Sequence, residues 1–141
     1  MQHTESKIQI DCVKWFHIQY RNEPDLCRHF FSVPNGGKRS KKLVKTKTGY
    51  KYISTEGKIL KDEGAKPGVS DLLLLIPNER HAFLCIEMKS PTGCQSKEQK
   101  EFGSAVSKLG FGKYVICKSF DEFRNEIQNY LAPTQWGKKV S

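Results

Sequence analysis

Asp71, Glu87 and Lys89 are of the right types to hydrolyse a phosphodiester together. Two carboxylates held side by side repel unless a cation or a shared proton joins them. A hard divalent ion such as Mg2+ or Mn2+ is held by a few such oxygens while keeping several waters. A lysine beside them would bring positive charge to the attacked phosphate or to the attacking water. The same three residues would also suit an ordinary cross-strand ion pair between Lys89 and a carboxylate, because Asp followed later by Glu-x-Lys is a short pattern.

The spacing asks for a β-hairpin to position them. Residues 70–76 and 82–89 read as strands, joined by a five-residue turn over 77–81. If that turn closes symmetrically, Ile76 faces Ala82 and Asp71 lies opposite Glu87. Opposed residues have Cβ atoms roughly 4.5–5.5 Å apart. Lys89, two residues beyond Glu87, points to the same face about 6–7 Å along the strand. Phe83, Leu84, Cys85 and Ile86 are continuously apolar, as in a central buried strand. A charge at the end of such a strand is costly unless paired or functional. A slip of one residue would turn Asp71 to the wrong face.

Helices would flank this hairpin. Residues 5–20 read as a helix with Ile8, Cys12, Trp15 and Phe16 on one side, ended by Asn22, Glu23 and Pro24. Glu5 and Gln9 share one of its faces. Ser96 with Gln99 is a capping-box pattern. It opens a helix whose apolar stripe is Phe102, Ala105, Val106 and Leu109 and whose cap is Gly110. Gln99, three residues before Phe102, falls on the side facing the sheet. It has two readings, a cap alone or a site residue, and Glu5 likewise reads as a first-turn charge or as part of the site.

Residues 113–117 read as a further strand. Ser119 with Glu122 opens a last helix carrying Phe123, Ile127 and Leu131, stopped by Pro133. Between the first helix and the hairpin, residues 27–31 read as a short helix, 38–54 as an exposed loop or ragged hairpin, and 55–63 as another short helix. The order describes an α/β domain, a mixed β-sheet flanked by helices. It spans residues 1–132 as a single domain with a basic loop region over 35–66, and residues 133–141 form a C-terminal tail.

A chain of 141 residues suits one domain, and 37% hydrophobic content is enough for a core. Residues 1–7 are polar and resemble no signal peptide, and the apolar runs are too short to span a bilayer. The sequence therefore reads as soluble and intracellular, with no membrane partner. Five cysteines, an odd number with no CxxC, argue against a disulfide framework. Cys27 and His29 would need paired downstream ligands to make a zinc site, and none has that spacing. The net charge of +9 is uneven. Residues 35–66 hold ten Lys/Arg against three Asp/Glu, which suits a polyanion such as nucleic acid or, equally, a solvated loop.

Glu5-x-x-x-Gln9, Asn35-Gly36-Gly37-Lys38-Arg39, Lys66-Pro67-Gly68-Val69-Ser70-Asp71-Leu72, Ile86-Glu87-Met88-Lys89 and Ser96-Lys97-Glu98-Gln99-Lys100 occur in this order. Together they resemble the VRR-NUC domain, a family of the PD-(D/E)xK nuclease superfamily, over nearly the whole chain. The resemblance implies a restriction-endonuclease-like core and a divalent-metal-dependent endonuclease using Mg2+ or Mn2+. Asp71, Glu87, the Met88 carbonyl and Glu5 would hold the metal, Lys89 would orient or activate water, and Gln99 would support the site.

Lys38, Arg39, Lys41, Lys42, Lys45 and Lys47 are the expected nucleic-acid contacts. The segment 43–54, longer and more basic than a minimal member needs, departs from the family pattern there. The substrate implied is DNA, branched or junction-containing, cut by a Holliday-junction resolvase acting as a homodimer. The alternatives are a monomeric flap or nicking endonuclease and a non-catalytic nucleic-acid-binding module.

Overall fold

The computed structural model describes residues 2–34, 42–53 and 55–137. They fall into two compact units, one made of Met1–Val33 with Gly68–Ser141, the other of Pro34–Pro67.

The larger unit is built on a four-stranded mixed sheet. In chain order its elements are α1 (Gln2–Gln19), α2 (Pro24–Arg28), β1 (Phe30–Ser32), then β4 (Leu72–Leu74), β5 (Phe83–Met88), α4 (Lys97–Leu109), β6 (Gly112–Cys117) and α5 (Phe120–Leu131). The second unit, between β1 and β4, supplies β2 (Lys42–Thr46), β3 (Gly49–Ile53) and α3 (Thr55–Asp62). The strand order is β1-β4-β5-β6, with β1, β4 and β5 antiparallel in turn and β6 parallel to β5. The parallel step needs a crossover, and α4 provides it.

The sheet separates two layers. Leu72, Leu74, Leu84, Ile86, Met88 and Cys117 share the core with Cys12, Phe16 and Tyr20 of α1 and Phe123, Ile127 and Leu131 of α5. Cys12, Phe16 and Tyr20 are four residues apart, so one stripe of α1 is buried. The alternate strand residues, Cys85 and Glu87 among them, point to the other face, where α4 lies. Its approach is close, because a Cβ on Gly103 would sit 2.7 Å from the Tyr114 ring. Helix α4 opens with the complete Ser96–Gln99 capping box and closes on left-handed Gly110. At Ser119 only half of the second box forms. Its hydroxyl accepts from the Glu122 N–H, while the Glu122 carboxylate accepts from the Lys118 N–H instead.

Three expectations need correction. Residues 27–31 are not a helix: α2 starts earlier, with Pro24 at its first turn, and Phe30–Ser32 pair with Leu72–Leu74 as an edge strand. A short apolar run cannot declare strand or helix by periodicity alone. The apolar stripe of α4 is shorter than expected, because Ala105 and Leu109 are exposed and only Phe102 and Val106 are half-buried. The hairpin strands are also shorter than 70–76 and 82–89, leaving residues 75–82 as the connection. Asn78 organises that connection. Its side-chain oxygen accepts from the N–H groups of Arg80 and His81, and its amide donates to the Tyr130 carbonyl.

Beyond α5, the half-buried Trp136 packs on the core and its indole N–H donates to Glu23. In the smaller unit, β2 and β3 pair as a hairpin about Lys47 and Thr48, with Lys45 opposite Tyr50. Of the two readings for residues 38–54, the hairpin is the one observed over 42–53. No helix among the described residues is long and apolar enough to cross a membrane.

Candidate active site

The site is assembled by register. Leu72 pairs with Ile86, Leu73 with Cys85 and Leu74 with Leu84, and the same count carried one step further sets Asp71 against Glu87. The connecting loop is longer than a five-residue turn, yet the register is the one that turn would impose.

Gly68 makes the approach to Asp71 possible. It lies at φ +85°, and a Cβ there would come within 2.3 Å of the Glu98 carbonyl oxygen. A side chain would therefore be strained in its backbone and would collide with the first turn of α4. Ser70, fully buried, follows. Asp71 then anchors itself twice on the sheet. Its carboxylate accepts from the Met88 N–H at 2.7 Å, and its carbonyl accepts from the Val33 N–H at 2.9 Å.

Glu87 is the centre of the arrangement. It is 1% exposed, and its two oxygens are treated differently. Oε1 accepts from the Gln99 side-chain amide at 2.8 Å and lies 3.9 Å from the Lys89 ammonium. Oε2 is buried with no hydrogen-bond partner. Burial first, and then the adjacent Asp71 carboxylate, push the Glu87 carboxyl up to about 8; Lys89 pulls it down and Glu5 adds a smaller upward push. The Asp71 carboxylate faces Glu87 across the two strands and acts on it electrostatically. Without a cation, burial and the neighbouring charge favour the protonated form of Glu87.

Gln99 combines the two readings that its position allowed. Its side-chain oxygen accepts from the Ser96 N–H while its amide nitrogen donates to Glu87. The cap fixes the start of α4, and the cap residue fixes Glu87. Lys89, only 12% exposed along its side chain, makes a long ion pair with Glu87, two residues back on its own segment and so not the cross-strand pair of the alternative expectation. An ion pair at 3.9 Å does not saturate the ammonium, which keeps donors for another group.

A hard divalent cation suits these residues. The unsatisfied Oε2 of Glu87 is a buried acceptor, Lys89 alone offsets the charge of two carboxylates, and all the donor atoms are oxygen. Glu5, half-buried on the first turn of α1, acts on Glu87 only as the weakest of its electrostatic neighbours. Among the described residues no group of three or more His, Cys, Asp or Glu forms a metal-holding cluster. A cation here would draw on Asp71, Glu87, a backbone carbonyl and water.

Two residues near the site carried no motif. The Tyr114 hydroxyl accepts from Gln95 at 3.0 Å. Burial chiefly, with the Glu87 and Asp71 charges adding, pushes its phenol up to about 12. Ser90, directly after Lys89, is buried with an unpartnered hydroxyl. Tyr114 is in register with Cys85, so a correct alignment of β6 on β5 was the one signal that would have found it. Of the expected nucleic-acid contacts, Lys45 and Lys47 are exposed on the β2–β3 hairpin and Lys42 begins β2. Lys38, Arg39 and Lys41 lie outside the described residues.

Residues 3–121 match the VRR-NUC domain family. A solved structure titled as a VRR_NUC domain protein has a similar fold. It is 22% identical, with a TM-score of 0.68 over 92% of this chain and 89% of the other. No curated protein matches the sequence.

Proposed function

The chain belongs to the VRR-NUC domain family and has a nuclease-type fold; from that premise we propose that it is a divalent-metal-dependent DNA endonuclease, selective for branched DNA, with its centre at Asp71, Glu87 and Lys89. The observation that carries this reading is the register that sets Asp71 against a buried Glu87, with one Glu87 oxygen left without a partner.

In this reading Asp71, Glu87 and the Met88 carbonyl hold Mg2+ or Mn2+. When bound, such an ion polarises the phosphoryl group and offsets the charge that builds in the transition state. The chain's own side chains do the rest. Lys89 places its ammonium where a nonbridging phosphate oxygen or the attacking water arrives. Gln99 keeps the Glu87 carboxylate in one orientation. Glu5 adds negative charge on the helix side and favours the retention of a cation. Lys45 and Lys47 hold flanking phosphates. A four-way junction presents two symmetric strands, so a resolvase would work as a homodimer with two sites.

The test is cleavage of linear, flapped and four-way DNA by wild type and Lys89→Ala, with Mg2+, Mn2+ or EDTA. Wild type should cut branched DNA only with a divalent ion, and the variant should lose at least about a hundredfold in rate. Equal cleavage by both proteins would remove the mechanism. Sedimentation in the same buffers decides the oligomer, and a monomer that cuts flaps alone would rule out the resolvase form.

A further inference from the structure

A groove of about 540 Å3 runs between α1 and β1. One face of α1, from Ser6 to His17, forms one wall, and β1 with Leu72 forms the other. Eleven helical steps of 1.5 Å from Ser6 to His17 make the groove roughly 16 Å long. Two lining residues, Ser6 and Leu72, directly follow Glu5 and Asp71 of the candidate site in the chain.

The chemistry of the walls is selective. None of the lining residues is acidic, while Lys14 and His17 both contribute. Ile10 and Phe31 line the groove and are 52% and 41% exposed, so both offer apolar surface to an occupant. A cation at Lys14, the His17 imidazole, the hydroxyls of Ser6 and Ser32 and exposed apolar or aromatic surface along one track are what a single nucleic-acid strand uses, a phosphate on the ammonium and bases against the rings. A peptide strand added to the sheet is a poorer occupant, since β1 is only three residues long and offers few ladder bonds.

We infer that the α1–β1 groove is a binding track for an unpaired nucleic-acid strand leading to the Asp71–Glu87 site. The inference takes the location of the scissile phosphate from the nuclease reading, but strand binding in the groove does not require cleavage. It makes an unpaired stretch next to the cut the feature that the protein selects in branched DNA.

The experiment uses the full chain in EDTA with a labelled oligothymidine and a blunt duplex of the same length, followed by fluorescence anisotropy. Lys14→Glu and Phe31→Ala should each weaken single-strand binding about fivefold or more, with duplex binding altered less than twofold. Circular dichroism checks both folds. A bromouracil strand crosslinked to wild type should attach to peptides containing residues 6–17 or 30–32, which keeps the test valid if a variant misfolds.

With Mg2+, wild type should cut tailed duplex faster than blunt duplex, and Lys14→Glu should erase that preference. Unchanged strand binding in both folded variants, or crosslinks confined to other segments, would overturn the inference. So would a shift from dimer to monomer in these variants with strand binding intact, which would make the groove a contact between copies. If no DNA is cut by any protein, the nuclease reading fails, while anisotropy and crosslinking still decide the groove.

Discussion

The Gln99 side-chain nitrogen donates to Glu87 Oε1 at 2.8 Å while the oxygen of the same amide caps α4 through the Ser96 N–H. One side chain thereby couples the start of a helix to the buried carboxylate of the candidate site. Helix position and carboxylate orientation cannot vary independently.

Gln99→Ala should remove both bonds at once. We expect a loss of about 1–2 kcal/mol in stability and a fall in cleavage larger than that loss explains. Gln99→Glu retains a capping acceptor but sets a third carboxyl against Glu87. Its melting temperature should approach wild type near pH 5 and drop below it near pH 8. Denaturation curves at both pH values check this, and matching curves for Gln99→Ala and wild type would contradict it.

Glu87 predicts the pH dependence of the metal-free protein. Its folded value, about 8, lies above its ordinary 4.5. Between these values the folded state binds more protons than the unfolded state, so stability falls as pH rises. The contribution is fully present below about 4.5 and is lost once pH passes about 8, at up to roughly 1.4 kcal/mol per pH unit. Urea titrations in EDTA should show this slope, and Glu87→Gln should flatten it. Mg2+ should oppose the loss, since a cation takes the place of the proton on Glu87. A wild-type slope indistinguishable from that of Glu87→Gln would refute the assignment.

Asp71→Asn should separate stability from activity. The asparagine oxygen can still accept from the Met88 N–H, while the charge that repels Glu87 is gone. The metal-free variant should melt at or above the wild-type temperature yet cleave at least about a hundredfold more slowly. Parallel melting and cleavage assays read both; loss of stability together with retained activity would refute the role.

Binding by the basic hairpin should be visible in its salt dependence. Removing one lysine–phosphate pair from a complex with duplex DNA lowers the slope of log affinity against log salt by about 0.9. Lys45→Ala with Lys47→Ala should therefore reduce it by roughly 2. An unchanged slope would leave these exposed lysines as solvated surface.

Much of the site was legible because its determinants are local. The two-residue period of a strand makes Asp71 and Glu87 neighbours once the hairpin register is counted, and the observed register keeps that count although the connection is longer. Ser96 and Gln99 announce a helix start from their spacing, since a cap is satisfied within one turn. The stripe Cys12, Phe16 and Tyr20 and the later Phe123, Ile127 and Leu131 show their burial through helical periodicity.

What only the tertiary structure decided depends on partners distant in the chain. Phe30–Ser32 became a strand because Leu72–Leu74 offered an edge, which no local pattern in three residues can signal. Leu109 fitted the apolar stripe of α4, yet the sheet does not extend under it. Tyr114 belongs to no motif; its place near the carboxylates follows from the parallel alignment of β6 on β5. Residue types and periodicity in the sequence brought Asp71, Glu87, Lys89 and Gln99 forward as candidates. Burial and packing decided that Glu87 keeps one oxygen without a partner, because desolvation is a property of everything that surrounds a group and of no segment of chain by itself.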